Sequence, residues 1–346
     1  MSASVGPSRR SVLALGPDDH RVTTGPLRAP AGWAVVESRV SGVCATDVHI
    51  LDGRVAGARM PVVLGHEGAG VVIEVPRGYD ALRAGERVVL YSPLGCGSCL
   101  ACGAGGAACS SPRGQLGFSL DGTFADTWAA PPENLVRIPD EVSFETAAPL
   151  GCAGITALHA VARSGVRAGE SVLVHGVGGV GLMAIQAAVA AGARVTVVAD
   201  ASAKAELATE AGAERVLVVP QEGGGRLAEA LHDAVGVAGV AHFIDFVGSA
   251  ASLTAGLQVL APSGTVVVAA TQGEMVTVDP ALLLRKEARM VGTLAGSRDD
   301  LVAALEMAVQ GRFRVQVDQR IPIGDVGVAL DRIRAREALG RNLLVW

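Results

Sequence analysis

Apolar residues fall into short runs along much of this chain, and one stretch is legible as a folded unit. In ESVLVHGVGGVGLMAIQAAVAAGARVTVVAD, the run Ser171–His175 reads as a hydrophobic strand and the glycines after it as a turn. The alanine- and leucine-containing segment that follows reads as a helix reaching about Ala191 and stopping at Gly192, with a second strand over 194–199. Strand-like runs return at RVLVV (215–219), AHFIDFVG (241–248) and TVVVAA (265–270), separated by helical segments. Strands alternating with helices predict an α/β fold with a doubly wound parallel sheet. Near the start, SRRSVLALG (8–16) reads as a first strand and turn. MAIQAAVAAGA is too short and too alanine-heavy to cross a bilayer, and no other apolar run approaches ~20 residues. Membrane insertion is therefore not expected.

The turn itself is Gly176-Val177-Gly178-Gly179-Val180-Gly181. A bare G-x-G-x-x-G is weak evidence in a chain with 45 glycines. Here it follows a strand and opens a helix, so backbone N–H groups and the helix N-terminus can face a pyrophosphate. Asp200 closes the second strand 24 residues after Gly176, close to the roughly 20 expected of the carboxylate that accepts the adenosine ribose hydroxyls. Such a carboxylate repels a 2′-phosphate, which favours NAD over NADP. The competing reading of Asp200 is a cap for a helix beginning near Ala201.

Composition narrows the class. A length of 346 residues suits two domains, and 50% hydrophobic against 18% charged residues describes a compact soluble protein. The net charge is −5, from 29 basic and 34 acidic residues, with no lysine or arginine run. A nucleic-acid partner is not expected. Arg9 and Arg10 resemble a twin-arginine export signal, but the apolar run behind them ends at once in PDDH and no small-residue cleavage site follows. The expectation is a cytoplasmic protein with reduced thiols, in which disulfides are disfavoured.

Four of the six cysteines lie in GCGSCLACGAGGAACS, with the spacing C-x2-C-x2-C-x6-C. Cys96, Cys99, Cys102 and Cys109 can fold back into a tetrahedron of thiolates, the arrangement zinc prefers, with no position left for substrate. Glycines at 95, 97, 103, 105 and 106 suit a loop wrapped round a metal. An iron–sulfur cluster and a merely cysteine-rich loop are the competing readings. Cys44, His66 and Cys152 are each bland alone, as buried cysteines and a turn histidine. Together they supply two thiolates and an imidazole, the ligand set of a catalytic zinc with an open fourth position, and the two sites would use all six cysteines. Such an ion can polarise a carbonyl or lower the pKa of a bound alcohol.

In order and spacing, GVCATDVHILDG, LGHEGAG, GERVVLYSPLGCGSC, DGTFADTW, PDEVSFETAAPLGCAGITALHA, the glycine turn, IDFVGS and GRNLLVW resemble the zinc-dependent medium-chain alcohol dehydrogenases over nearly the whole chain. That resemblance implies a GroES-like β-barrel domain holding both zincs (1–152 and 293–346), a Rossmann coenzyme domain (153–292) and an active site in the cleft between them. It implies Cys44, His66 and Cys152 as catalytic zinc ligands and Glu67 as a carboxylate that assists ligand exchange. Asp47 would orient the ligand histidine. Thr46 would touch the substrate hydroxyl, and His49 would stand at the outer end of a relay carrying its proton through the cofactor ribose to solvent; the competing reading of all three is an ordinary polar turn, with Cys44 beside them favouring the functional one. Arg341 resembles an arginine on the cofactor pyrophosphate, and Lys204 a lysine near the adenosine ribose, in a loop one residue shorter than usual. The structural-zinc lobe usually has seven residues between its third and fourth cysteines and here has six.

The activity implied is reversible hydride transfer between an alcohol, with its aldehyde or ketone, and NAD. Two zincs per chain, a small-molecule substrate and a homodimer or homotetramer go with it. Within the redox class, the alternative is a specialised biosynthetic reductase of a carbonyl or conjugated double bond. Zinc-free quinone or enoyl reductases of the same superfamily lack the metal ligands present here. From another class comes a catalytically silent cofactor-binding relative. Aromatics are only 3% of the chain, which suggests a pocket of aliphatic and small side chains. Segments 51–60, 91–95 and 293–297 are candidate walls by resemblance, or simple connecting loops.

Overall fold

In the computed structural model, which describes residues 5–103, 107–110, 112–220 and 224–346, the chain divides into two units. One is Met1–Cys152 with Ser297–Trp346, and the other is Ala153–Gly296. The second junction lies after Gly296 rather than after residue 292. Thr293 N–H still pairs with the Val268 carbonyl at 3.0 Å, and Gly296 packs so closely on the Ile155 carbonyl that a side chain would not fit.

The first unit is built on a largely antiparallel sheet. Its order runs Leu135–Arg137, Arg87–Leu90, Glu67–Glu74, Ala34–Val43, Arg341–Val345 and Val317–Pro322, with Thr127–Ala130 also paired to Ala34–Val43. The C-terminal strand thus lies beside the strand that leads into Cys44. Trp128, Phe124, Leu64, Leu90 and Leu116 are among its fully buried side chains. At the N-terminus the expected strand and turn form one arm of a long hairpin: Val5–Gly16 pairs with Asp19–Arg28 across Pro17 and Asp18. The two arginines sit within that strand. Arg9 is buried and donates to the Thr127 carbonyl at 2.6 Å, while Arg10 pairs with Asp126 at 2.9 Å.

In the second unit six parallel strands run in the order Arg215–Val218, Arg194–Ala199, Ser171–His175, Val240–Asp245, Leu260–Val268, Arg289–Gly292. Numbered along the chain that order is 3-2-1-4-5-6, the doubly wound arrangement whose direction reverses beside the first strand. Strands covered on both faces read as unbroken apolar runs, and Val172, Leu173, Val174, Phe243 and Ile244 are all fully buried. The helix Gly179–Ala190 follows the glycine turn as expected. The fifth strand begins earlier than the run at 265 suggested, because Pro262 and a left-handed Ser263 (φ 61°) bulge it without ending it. No described helix is long and apolar enough to cross a membrane.

A polar pair fixes the base of this sheet: Glu170 Oε2 lies 3.0 Å from His242 Nε2 and Glu170 also accepts from Arg167. His242 first, then Arg167, lowers the Glu170 carboxyl from 4.5 to about 2. A folded-state pKa below the unfolded one means that this stabilisation is present above pH 4.5 and is lost as pH falls toward 2. Glu170→Gln is expected to flatten that part of the acid limb, read as melting temperature against pH, and to be nearly silent on the slope above pH 6.

Candidate active site

Three separate stretches of the first unit meet in one buried pocket. Cys44 follows the strand Ala34–Val43 and N-caps the short helix Ala45–Leu51 in extended conformation. His66 and Glu67 open the strand Glu67–Glu74 after Gly65, whose φ of +93° and contact with Phe124 exclude a side chain. Cys152 comes from a single π-helical turn, Leu150–Gly154, directly after a helix with Pro149 in its last position. Such turns re-aim a side chain that a regular helix would point elsewhere. Ligand atoms of Cys44, His66, Glu67 and Cys152 all lie within 4.8 Å of one another.

Asp47 holds this set in register. It is completely buried; its Oδ2 accepts from the Cys44 amide at 2.8 Å, and its Oδ1 lies 3.3 Å from His66 Nδ1. One carboxylate thereby hydrogen-bonds the backbone of one ligand and sets its charge beside the ring Nδ1 of another, at ion-pair distance but outside hydrogen-bond geometry, which leaves Nε2 for a metal. His66 Nε2 is buried without a hydrogen-bond partner among the described residues. Phe118 packs edge-on against the same ring, with centroids 5.2 Å apart. Thr46 Oγ1 lies 3.6 Å from Cys44 Sγ, and Thr46 and His49 share the less buried side of the helix.

The electrostatics suit a cation. Hydrogen bonding from Cys152 outweighs burial and, with the Arg341 charge, holds the Cys44 thiol well below the ordinary range, while Cys152 itself is pushed up. Burial opposes charge on His66, but Asp47 and Cys44 raise its pKa well above the usual value. Burial also drives Glu67 to about 8 against the pull of Arg341. Arg341 is itself buried, with Nε 3.4 Å from Glu67 Oε2 and Nη1 donating to the Val43 carbonyl at 3.2 Å. Nη2 has no partner among the described residues. Burial lowers the His49 pKa, and Arg54 adds to the effect. A pocket of two sulfurs, an imidazole and a carboxylate with orphaned buried polar atoms fits a divalent metal.

The second cysteine cluster is more exposed and equally compact. All four sulfurs lie within 4.8 Å of one another, with Cys96 and Cys102 3.9 Å apart and Cys99 and Cys109 3.8 Å apart. A tetrahedron with Zn–S bonds of about 2.3 Å has sulfur–sulfur edges of roughly 3.8 Å. The cage therefore fits one such ion and is too tight to enclose an iron–sulfur cluster. Backbone amides, led by that of Cys102, bring Cys99 down to about 5, and the amide of Ser98 leads in bringing Cys96 to about 7; Cys102 rises to about 11. Gly95 lies where a side chain would strike Cys102 Sγ, whereas Gly105 and Gly106 lie outside the described residues.

In the second unit, Gly178 caps the helix Gly179–Ala190 and its carbonyl accepts from Leu182 N–H at 2.9 Å. Gly181 packs directly on the Gly176 carbonyl, so a side chain there would collapse the turn. Gly179 and Val180 form the first residues of the helix. Asp200 stands just past the second strand. The residue that caps the next helix is Ala201, with no side-chain bond, and the Asp200 carboxylate instead meets Lys204 Nζ at 2.9 Å.

Comparison with known proteins matches residues 30–140 to the alcohol dehydrogenase GroES-like domain and residues 179–310 to the zinc-binding dehydrogenase domain. The chain belongs to the zinc-type medium-chain alcohol dehydrogenase family. An alcohol dehydrogenase of Geobacillus stearothermophilus is 32% identical over 317 residues, covering 90% of this chain and 92% of its own. Among solved structures, AibC superposes with a TM-score of 0.89 at 33% identity, over 98% of this chain and 96% of its own. A zinc-binding dehydrogenase of Sinorhizobium meliloti 1021 bound to NADP gives 0.89 at 26%, over 99% and 100%. The fold is thus a GroES-like domain with a Rossmann-type parallel sheet, and the protein is an oxidoreductase of a family that uses zinc and a nicotinamide coenzyme.

Set against this dehydrogenase framework, the residues singled out in the sequence fall into groups. Cys44, Thr46, Asp47, His66, Glu67, Cys152 and Arg341 gather around one pocket, with His49 on the helix beside it. The four cage cysteines form a second group, and Asp200 with Lys204 a third. Sequence reading missed Gly42, Phe118 and the His175–Asp245 pair. Gly42 sits opposite Glu67 in the ladder, where a side chain would overlap the Glu67 carboxylate. Only the pairing register, not any local pattern, could have pointed to it.

Proposed function

We propose that this protein is a zinc-dependent alcohol dehydrogenase that transfers hydride reversibly between an alcohol, with its aldehyde or ketone, and NAD. The observation that carries the reading is the Cys44–His66–Cys152 set, two members buried and Cys152 half-buried, with Asp47 beside two of them. These three would hold a catalytic zinc with one position open, and the four-cysteine cage would hold a structural one. When bound, zinc supplies Lewis acidity at the substrate oxygen and nicotinamide accepts the hydride. Thr46, whose Oγ1 lies 3.6 Å from Cys44 Sγ, would accept the proton of the substrate hydroxyl while passing on its own, and His49, on the same side of the helix, would release a proton to the outside at the far end of that relay. Arg341 keeps a cation beside Glu67, so that the carboxylate can approach or leave the metal position without a bare buried charge.

The dinucleotide would lie with its pyrophosphate on the amides of 176–181, and Asp200 would accept from the adenosine ribose hydroxyls. The Asp200 carboxylate disfavours a 2′-phosphate, although Lys204 at 2.9 Å offsets part of its charge. Holding two zincs through thiolates requires reduced cysteines, which accords with a cytoplasmic setting, and the family resemblance supports a homodimer or homotetramer.

The test follows nicotinamide reduction by the zinc-loaded protein with NAD and NADP across primary, secondary, aromatic and polyol alcohols. NAD-linked turnover supports the reading. Cofactor binding with no turnover on any alcohol overturns it in favour of a specialised reductase or a silent relative. Asp200→Ala is expected to raise KM for NAD by about tenfold and leave KM for NADP unchanged or lower, narrowing the preference. An unchanged KM ratio would show that Asp200 serves only Lys204.

A further inference from the structure

At the point where the parallel sheet reverses direction, one buried carboxylate gathers donors from three elements. Asp245 ends the strand Val240–Asp245 and is fully buried, with His175 its partner in register on the neighbouring first strand. It lies 2.9 Å from His175 Nδ1, accepts the amides of Val247 and Gly248 at 3.1 Å each, and accepts the Ser252 hydroxyl at 2.7 Å. An ionised carboxylate only accepts, so His175 Nδ1 carries the proton. His175 immediately precedes the glycine turn. Its carbonyl accepts from Phe246 N–H at 3.0 Å, and Gly176 packs on Phe246 and Val247.

These contacts exceed what the local structure needs. The helix Ala250–Val259 already has its capping box from Ser249 and Ser252, and the strands already pair through their backbones. What Asp245 adds is a tie between segment 176–181 and segment 246–249, on either side of the reversal point. In an open parallel sheet the crevice outside the carboxyl ends of the strands at that point is where a dinucleotide lies.

We propose that Asp245, acting through His175 and the amides of Val247 and Gly248, is a positioning residue for the coenzyme: it fixes the spacing of the two loops that flank the dinucleotide. This rests on the reading that the chain binds a nicotinamide dinucleotide. Removing the tie lets the loops drift apart, and the free energy needed to restore their spacing is then subtracted from binding. The effect falls on the coenzyme and not on the metal pocket, which belongs to the other unit.

The test measures NAD affinity by calorimetry, melting temperature, and KM for NAD and for alcohol, on the full-length zinc-loaded protein and three variants. Asp245→Asn replaces an acceptor with a donor among four donors. His175→Phe fills the space beside Phe243 but donates nothing, and His175→Asn restores an N–H to Asp245. Asp245→Asn and His175→Phe are expected to weaken NAD binding by about tenfold or more, and to raise KM for NAD in step without raising KM for alcohol. His175→Asn is expected to bind within about threefold of the parent. Folded His175→Phe with parental affinity overturns the proposal, as does His175→Asn weakened as much as His175→Phe. If Asp245→Asn does not fold, the two His175 variants decide. A parent protein that binds neither NAD nor NADP overturns the coenzyme reading itself, an outcome distinct from either of these.

Discussion

Cys44→Ser is expected to lower kcat/KM for alcohol oxidation by at least about a thousandfold and to remove close to one zinc per chain, with the melting temperature little changed. The substitution is discriminating because of where Cys44 sits. It N-caps the helix Ala45–Leu51, and serine is a better cap than cysteine, so the helix start should hold or gain slightly. Its amide still reaches Asp47 Oδ2, the contact that aligns His66. What disappears is a sulfur whose proton is readily lost, because Cys152 and Arg341 favour the thiolate; a serine hydroxyl in the same pocket keeps its proton and is a poor zinc ligand. Metal analysis beside steady-state kinetics checks this. One remaining zinc, held by the four-cysteine cage, with activity near background is the expected pattern. Full turnover with two zincs would show that Cys44 is only a buried cap.

How much of this was legible in the sequence follows from the range of the interactions. The second unit was readable because its signal is local. Apolar runs mark strands buried on both faces, and the glycines of the turn mark a place where backbone must approach backbone, as Gly181 does on the Gly176 carbonyl. The four-cysteine cage was readable for the same reason, since all its ligands lie within one loop. The buried pocket was less so: Cys44, His66 and Cys152 come from separated stretches, and spacing alone joins them only through the argument that six cysteines fill two sites. The π-turn that aims Cys152 leaves no periodic trace. Arg341 illustrates the gap most plainly. A terminal-strand arginine reads as a surface residue or a phosphate contact, yet the strand Arg341–Val345 lies beside Ala34–Val43 and buries the guanidinium against Glu67. The Asp245 tie escaped for a similar reason, because a residue that links two loops across neighbouring strands has no partner nearby in sequence.

The same register argument makes Gly42 a constrained glycine of the metal pocket. Gly42 and Glu67 face each other across the antiparallel pair of Ala34–Val43 and Glu67–Glu74, and the Glu67 carboxylate folds back over the glycine where a Cβ would stand. It cannot retreat into solvent, being fully buried, and its other side faces Arg341, Cys44, His66 and Cys152. Gly42→Ala is therefore expected to destabilise the protein by about 1–3 kcal/mol through overpacking. It should also press the carboxylate toward the open metal position and lower kcat as well as stability. A double-mutant cycle isolates the cause. Glu67→Ala removes the overlapping atoms, so Gly42→Ala should cost little more in that background, giving a coupling of at least about 1 kcal/mol between the two sites. Glu67→Ala on its own leaves Arg341 without its carboxylate and is expected to be destabilising, which is why the cycle and not the single variant carries the test. Denaturant unfolding of the four proteins measures it. Strict additivity would mean that the Glu67 side chain does not lie over Gly42, and that the glycine is there for the backbone alone.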